Sequence, residues 1–341
     1  MKRSLLTLTL LIALFTLILG GCAKAPKNDD NTAENTTYPL TVTDQLGREV
    51  IIEKEPEKIV SGYYISTSLL IALDLQDKTV GIESKPEKRP IYQLAAPEFL
   101  ELPNVGTMKE FNLEATIALE PDLVILPVKL KDNIDALEEL GIKVIAINPE
   151  SNELLHEMIT IVSKATDTVE RGNDLIAAIN KYSEKIDTIL KEVEAKKVYL
   201  GGNSEFLSTA GSKMYQNTLI TLAKGENVAG EIEDAYWANV SYEQLLTWNP
   251  EVIILASDAE YGVDDVLNDE NIQEVTAVQN KAVVKIPSNL EAWDSPVPSS
   301  ILGSLWIASV LYPDEYSQED FNKDVQEFYS TFYGLENITN E

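Results

Sequence analysis

Residues 166–196 read TDTVERGNDLIAAINKYSEKIDTILKEVEAK, a stretch without proline in which apolar residues return every three or four positions. The apolar positions are Leu175, Ile179, Tyr182, Ile186, Ile189 and Val193. This spacing places one apolar stripe on one face of a helix, while lysine and glutamate occupy the other faces. About 26 helical residues would extend roughly 40 Å. The stretch therefore predicts one long helix, which either lies on the surface of a single domain or joins two domains.

Short apolar strands alternate with helices on both sides of this stretch. Before it, strands are expected at 58–61, 79–82, 122–126 and 143–147, and helices at 67–74, 112–119, 131–140 and 151–164. After it, strands are expected at 197–200, 251–255 and 282–286, and helices at 215–223, 241–248, 263–267, 298–311 and 318–329. A hairpin at 40–43 and 49–53 precedes them. The alternation predicts parallel sheets covered by helices on both faces.

An internal repeat indicates that the long helix separates two related units. Residues 112–126 read NLEATIALEPDLVIL, and residues 241–255 read SYEQLLTWNPEVIIL. Each copy has a capping residue, a glutamate in the first turn, a proline that stops the helix and a buried strand. We therefore expect an α/β fold with two Rossmann-like α/β lobes, residues 38–165 and 197–334, with a cleft between them. The lobes would be joined by one long α-helix, residues 166–196.

The N-terminus has the form of an export signal. A short positive region, Met1–Arg3, is followed by an uncharged apolar run and then by Leu19-Gly20-Gly21-Cys22. The last four residues resemble the bacterial lipobox, in which the cysteine is acylated. We expect a lipoprotein signal peptide at 1–21, lipidation at Cys22 and a flexible tether at 22–37. This places the mature chain outside the cytoplasm, anchored to the cell membrane through its N-terminal lipid.

Composition excludes several classes of function. The 341 residues include 27 Lys and Arg against 56 Asp and Glu, a net charge of −29, so a nucleic-acid partner is not expected. His156 is the only histidine, lies in a helical pattern and receives no role, so a histidine-rich zinc site is excluded. No nucleophile elbow, P-loop or zinc-protease motif occurs. An exported hydrolase that uses two catalytic carboxylates is not excluded, although the sequence does not single out such a pair.

Aromatic and cationic residues follow the predicted strands. In open α/β sheets, ligands bind beyond the carboxyl ends of the strands. The candidate ligand-binding residues are Tyr63, Tyr64, Lys85, Arg89, Met108, Lys129, Phe206, Tyr236, Trp237 and Trp293. Such a set suits a bulky, partly planar or anionic small molecule, although any one aromatic could equally be covered at the end of its loop. Arg89 is the best candidate for contact with an anion.

Several motifs together resemble one known family. They are Asp44-x-x-Gly47-Arg48-x-Val50, Asn112-Leu-Glu114 leading to Pro121-Asp122, Val240-Ser-x-Glu243, and Thr209-Ala-Gly211-Ser212 with residues 225–229. With the lipobox, they resemble class III substrate-binding proteins of ABC transporters over about 38–334. That group captures ferric siderophores, haem, cobalamin and, in some members, molybdate or tungstate.

The resemblance implies partners and site residues. It implies two α/β lobes with little hinge motion, and one surface glutamate on each lobe that pairs with arginines of the permease. Glu114 and Glu243 occupy those positions. Trp237 stands where cobalamin-binding members place an aromatic, but Met108 and Pro127 replace tryptophans of those members. Trp293-Asp294 and the residues after it resemble a branch that includes molybdate binders.

Together these observations predict a non-enzymatic, monomeric, lipid-anchored receptor. It would capture a metal chelate, such as a ferric siderophore, haem or a corrinoid, and deliver it to an ABC permease and its ATPase. No resident cofactor and no directly bound metal are expected. The alternatives are a receptor for a small oxyanion held by Arg89 and backbone NH groups, an exported hydrolase, and a surface adhesin.

Overall fold

The computed structural model describes residues 36–235 and 237–338. The predicted signal peptide (residues 1–21), Cys22, most of the predicted tether (22–37) and Tyr236 lie outside the described residues. Within that described part, no helix combines the length and the apolar character needed to cross a membrane.

An antiparallel hairpin is the first element of the described residues, as the alternating sequence predicts. Strand β1 (Leu40–Thr43) pairs with β2 (Glu49–Ile52), and Gly47 turns the chain with a φ of +77°. The Asp44 carboxylate accepts hydrogen bonds from the backbone N of Arg48 and of Ala146, both at 3.0 Å. Asp44 therefore both closes the turn and fastens the hairpin to the first sheet.

The first sheet is parallel and has the strand order β4-β3-β5-β6. Its strands are β3 (Ile59–Ser61), β4 (Thr79–Gly81), β5 (Leu123–Pro127) and β6 (Lys143–Ile147). The helices around it are α1 (Tyr64–Ala72), α2 (Pro90–Ala95), α3 (Leu113–Ala118), α4 (Lys131–Glu139) and α5 (Asn152–Ala165). Every residue of β3 and β5 is buried, as expected for strands covered on both faces. The strands and helices predicted for this part of the chain are confirmed. Helix α2 is an additional element that the sequence pattern did not predict.

The long helix, α6, spans Val169–Ile189 and is shorter than predicted. Its 21 residues correspond to roughly 32 Å. The chain leaves the helix after Ile189 because Lys196 already begins the next strand and pairs there with Gly225. The helix is continuous through Gly172, where a Cβ would lie 2.5 Å from Ser163 Oγ of α5. Glycine at this position therefore allows α5 and α6 to approach each other closely.

The second sheet mixes parallel and antiparallel strands, which corrects the expectation of a purely parallel sheet. Its strand order is β10-β8-β7-β11-β12, and β9 also pairs with β7. The strands are β7 (Lys196–Gly201), β8 (Ser208–Ala210), β9 (Gly225–Asn227), β10 (Trp237–Asn239), β11 (Val252–Leu255) and β12 (Val283–Lys285). β8 and β10 form the antiparallel edge. Three-residue strands of this kind are too short to show a period in the sequence.

The remaining helices follow the second sheet in the chain. They are α7 (Tyr215–Leu222), α8 (Tyr242–Trp248), α9 (Val263–Leu267), α10 (Thr276–Gln279), α11 (Ile301–Leu311) and α12 (Gln318–Tyr333). Side-chain caps explain where several helices start, including Asn112 before α3 and Ser241 before α8. The two copies of the sequence repeat thus form similarly capped helices.

A buried apolar cluster contains residues from both sides of α6, including Leu69 of α1, Leu305 of α11 and Phe328 of α12. Arg171 of α6 connects these elements, because its Nε donates to Ala72 O at 2.6 Å and its Nη2 donates to Phe332 O at 2.9 Å. The final helix, although it follows the second sheet, is therefore fastened to the end of α1. The lobe boundaries at 38–165, 166–196 and 197–334 stay predictions.

Candidate functional site

The carboxyl ends of β3, β4 and β5 meet at one edge of the first sheet, as parallel strands require. A cavity of about 580 Å³ opens there, and we call it the cationic cavity. It is lined by Gly62, Tyr63, Tyr64, Glu83, Ser84, Lys85, Lys88, Arg89, Thr107, Met108, Lys109 and Glu110. The volume lies within the roughly 300–1,000 Å³ that pockets for drug-sized ligands occupy.

Positive charge dominates the wall of the cationic cavity. Lys85, Lys88, Arg89 and Lys109 line it, opposed by the exposed carboxylate of Glu110 and the buried carboxyl of Glu83. Within residues 36–235 and 237–338, none of the four cations lies within 4.0 Å of a carboxylate oxygen. A chain with a net charge of −29 thus presents unneutralised positive charge at this one edge.

Arg89 is held in place by an aromatic ring. Its guanidinium carbon lies 4.0 Å from the centroid of the Tyr64 ring, and the Tyr64 Oη donates to Ser295 Oγ at 2.9 Å. Tyr63 packs edge-on against Tyr64 with the ring centroids 5.0 Å apart. Burial raises the pKa of both tyrosine hydroxyls, so both rings stay neutral. Stacking fixes the plane of the guanidinium and leaves its N–H edges available for an anion.

Glu83 forms the buried part of the same wall, with 8% of its surface exposed. Thr67 Oγ1 donates to its Oε2 at 2.6 Å, and Tyr92 Oη donates to its Oε1 at 2.7 Å. Burial raises the pKa of this carboxyl group, although the two hydrogen bonds and the Arg89 charge act in the opposite direction. Glu83 was not among the residues predicted from the sequence, because one acid among 56 after a short strand carries no signal.

A smaller cavity of about 240 Å³, here the shared cavity, lies on the other side of Arg89. One wall comes from residues before α6, namely Tyr64, Ser68, Lys88, Arg89, Pro90, Ile91 and Tyr92. The other wall comes from residues after α6, namely Asp258, Ser288, Leu290, Glu291, Ala292 and Val297. The shared cavity is therefore built by both halves of the chain.

The segment 286–300, which follows β12, is fastened to the first half. The backbone N of Ile91 donates to Leu290 O at 3.1 Å, and the Ser68 hydroxyl donates to Glu291 Oε1. The Glu291 Oε2 accepts from Ser299 Oγ at 2.5 Å and from Tyr329 Oη at 3.2 Å. Burial raises the pKa of Glu291. A fully enclosed carboxyl group with this many hydroxyl donors links α1, segment 286–300 and α12.

Trp293 is not a ligand contact, and its prediction was wrong. The ring is fully buried, its Nε1 donates to Tyr329 Oη at 2.8 Å, and it packs edge-on against Phe321. A Cβ at Gly303 would lie 2.6 Å from Trp293 O, so helix α11 closes over this residue. Trp293 belongs to the hydrophobic core and anchors the segment that carries Ser295.

The eight other predicted ligand residues that the structure describes fall into three groups. Five of them line the cationic cavity: Tyr63, Tyr64, Lys85, Arg89 and Met108. Lys129 lies beside it, in a shallow pocket that also includes Tyr63, Met108 and Glu150. Phe206 packs between Tyr199 and Tyr261, and Trp237 is 36% exposed on β10; neither lines any of these cavities. Tyr236 lies outside the described residues.

Glu114 and Glu243 occupy matching positions on α3 and α8. Both are exposed and lie in the first turn of a helix whose cap accepts a backbone hydrogen bond, Asn112 from Ala115 N and Ser241 from Gln244 N. A carboxylate there is favoured by the helix dipole. A hydrogen bond from Ser241 lowers the pKa of Glu243. The two acids are thus presented in the same way by the two halves of the chain.

No group of three or more His, Cys, Asp or Glu side chains that could hold a metal ion occurs among the residues described.

Comparison with known proteins gives a consistent result. The chain is 28% identical to the molybdate-binding protein MolA of Haemophilus influenzae over 317 residues, covering 86% of this chain and 90% of MolA. It is 26% identical to the uncharacterized ABC transporter substrate-binding lipoprotein YvrC of Bacillus subtilis, covering 93% and 99%.

Solved structures share the fold. The periplasmic solute binding protein from Veillonella parvula superposes with a TM-score of 0.76 at 27% identity, covering 88% of this chain and 94% of that one. The structure of MolA bound to molybdate gives a TM-score of 0.77 at 25% identity, covering 88% and 99%. The model of the periplasmic binding protein family matches residues 59–290, more than half of the chain. The chain therefore belongs to the periplasmic binding protein family, and it is a class III substrate-binding protein of ABC transporters.

Proposed function

We propose that this protein captures an anionic metal chelate in the cationic cavity and delivers it to an ABC importer. The observation that carries the proposal is the group of unpaired cations around a cavity of about 580 Å³ whose lining also includes the rings of Tyr63 and Tyr64. Charged groups supply orientation and on-rate, while Tyr63, Tyr64 and Met108 supply apolar contact.

The size of the cavity favours a chelate over a small ion. A ferric siderophore, haem or a corrinoid would contact several lining residues at once, and both Arg89 and Lys109 are among them. Met108 is 40% exposed and unbranched, so it can adapt to an irregular ligand surface. The bound metal would then be held by the chelator and recognised by the protein through charge and shape.

A small oxyanion is the second candidate, and the similarity to MolA is the observation that favours it. Arg89 together with Lys85 and Lys88 could hold a tetrahedral anion through charge-assisted hydrogen bonds. Such an ion would leave most of the cationic cavity to water. The chelate therefore uses the observed volume better than the oxyanion does.

Delivery would use the two exposed acids of the repeat. We place Glu114 and Glu243 at the contact with arginines of the permease, which acts with its ATPase. Lipidation at Cys22 would keep the protein outside the cytoplasm at the membrane surface. The similarity to transport binding proteins supports a binding role rather than the exported hydrolase.

A thermal-shift screen of the mature protein with Cys22→Ser tests the ligand class. Ferric catecholate and carboxylate siderophores, haem, cobalamin and molybdate would be added, since a bound ligand stabilises by RT ln(1 + [L]/Kd). We expect an anionic chelate to give the largest shift, and a variant with Lys85→Ala and Lys88→Ala to lose it. Stabilisation by molybdate alone would establish the oxyanion. Stabilisation only by neutral or cationic compounds would overturn the proposal.

A further inference from the structure

We infer that Glu83 sets the charge preference of the cationic cavity: its carboxyl group takes up a proton when a polyanion binds there. The inference rests on the proposed function, because it concerns anion binding at the same cavity. It adds a residue that decides which charge the cavity accepts, and it adds a proton to the binding reaction.

The Glu83 carboxyl group has no direct ion pair among the described residues, although the charge of Arg89 lowers its pKa against the larger effect of burial. Its two oxygens accept hydrogen bonds from the hydroxyls of Thr67 and Tyr92, and none of its neighbours within 4.0 Å is a described lysine or arginine. A buried carboxylate paired with a cation would keep its charge at all ordinary pH values. A buried carboxyl group that is hydrogen-bonded by neutral donors and has no cation in direct contact can gain or lose a proton as the charge around it changes.

A chain of hydroxyls allows either state without leaving a polar group unsatisfied. Thr67 Oγ1 lies 2.7 Å from Ser61 Oγ, which lies 2.7 Å from Ser66 Oγ, and Ser66 Oγ donates to Tyr63 O at 2.8 Å. When Glu83 is ionised, the Thr67 hydroxyl donates to it. When Glu83 is protonated, its own hydroxyl can donate to Thr67 Oγ1, and Thr67 then donates to Ser61. The chain ends on the carbonyl oxygen of Tyr63, so every donor has an acceptor in both states.

The protonation state of Glu83 changes the net charge of the cationic cavity. Lys85, Lys88, Arg89 and Lys109 line the same cavity as the carboxylate of Glu110, so four cations against one anion leave three positive charges. Ionised Glu83 reduces that excess to two. Tyr92, which hydrogen-bonds to Glu83, and Tyr64, which lines the same cavity, stay neutral because burial raises the pKa of both hydroxyls.

Glu150 is a second acid near the cationic cavity whose pKa is raised. It borders the adjacent shallow pocket, where burial raises its pKa and Lys129 counteracts that effect. Its carboxyl group is separated from the cationic cavity by Tyr63 and Met108, which line both. Glu83, in contrast, lines the cationic cavity directly.

The charge of the ligand determines whether its binding takes up or releases a proton at Glu83. A polyanion beside Glu83 disfavours its ionised form, so binding draws in a proton and is tighter at low pH. Burial already raises the pKa of Glu83 above its usual range, which moves the change toward neutral pH. The cavity should therefore prefer ligands that carry several negative charges over neutral ligands of the same shape, and the preference should grow as the pH falls.

Pyrenetetrasulfonate is a suitable probe because it is planar and fluorescent, and its sulfonates stay charged over the whole range. We expect its Kd to rise about tenfold between about pH 5 and pH 8 in the wild-type protein. Glu83→Gln should hold the low-pH affinity throughout. Glu274→Gln makes the same charge change at an exposed position outside both cavities and should keep the wild-type slope. Calorimetry in two buffers with different ionisation enthalpies should show proton uptake by the wild type and by Glu274→Gln, but not by Glu83→Gln.

The outcomes separate the inference from the proposed function. If the probe binds to no variant at any pH, the anion-binding function fails and the inference fails with it. If it binds but Glu83→Gln retains the wild-type slope, or if Glu150→Gln removes that slope instead, only the inference is overturned. Proton uptake is measured on the wild type, so its absence overturns the inference even if Glu83→Gln does not fold, and its presence together with a wild-type slope in Glu150→Gln supports it.

Discussion

Replacing Arg89 by alanine is the most direct perturbation of the cationic cavity. The guanidinium lines both cavities, stacks on Tyr64 and has no carboxylate partner to release when it is removed. Its loss should therefore lower the affinity for the ligand without breaking a salt bridge within the protein. The Tyr64 ring stays supported on its other side by Tyr63 and through Ser295.

The expected magnitude follows from the geometry. A hydrogen bond to a charged group contributes about 1.5–3 kcal/mol, and each 1.4 kcal/mol corresponds to a factor of about ten in Kd. Arg89→Ala should therefore weaken binding of an anionic ligand by about tenfold to a hundredfold. Arg89→Lys keeps the charge but loses the planar fork and the stacking, so it should cost only about threefold to tenfold.

Fluorescence titration with pyrenetetrasulfonate at two salt concentrations measures both variants. Lys323→Ala is the matched control, because it removes an exposed cation that lines neither cavity. Its affinity should stay within about twofold of the wild type. If the wild type binds the probe and Arg89→Ala binds it equally well, the ligand does not occupy this cavity, and the argument from unpaired charge is refuted.

Three further predictions concern docking, the second sheet and stability. The double variant Glu114→Ala, Glu243→Ala should keep its ligand affinity and lose uptake in whole cells; lost affinity with uptake coupling retained would contradict the docking role. Trp237→Ala should weaken binding at least about tenfold if the exposed ring on β10 contacts ligand, and an unchanged Kd would remove Trp237 from the site. Burial raises the pKa of Glu291 above its unfolded value, so its contribution to stability is full below the unfolded pKa and is lost as the pH rises through the folded pKa. Glu291→Gln should flatten this fall in the free energy of unfolding, measured by urea denaturation between about pH 5 and pH 8, and equal slopes in both proteins would show that Glu291 is not its source.

Most of the fold could be predicted because its signals are local. Fully apolar runs such as Leu123–Pro127 identify buried strands, and the capping residues Asn112 and Ser241 fix where α3 and α8 begin. The elements that were not predicted correctly depend on contacts between residues far apart in the sequence. Strands β8 and β9 form by pairing with β7, β10 forms by pairing with β8, and α6 ends early because Lys196 pairs with Gly225.

The candidate site was predicted only in part, for a related reason. Tyr63, Tyr64, Lys85, Arg89 and Met108 were found because residues after parallel strands gather at one edge of the sheet. Trp293 follows β12 in the same manner, yet its loop folds inward against Phe321 and Tyr329. Position after a strand cannot distinguish these outcomes, because an aromatic side chain suits both a core and a binding site.

The contacts between the two halves bear on how selectivity arises. Tyr64, Ser68 and Ile91 hydrogen-bond across to Ser295, Glu291 and Leu290 of segment 286–300. Separating the halves along this border would break all three, each at a net cost of about 1 kcal/mol, and would leave the buried Glu291 without one of its donors. The ring that holds Arg89 is thus positioned before any ligand arrives. We therefore expect the cavity to select its ligand by charge, set by Arg89, the lysines and the proposed protonation of Glu83, rather than by closing around the ligand.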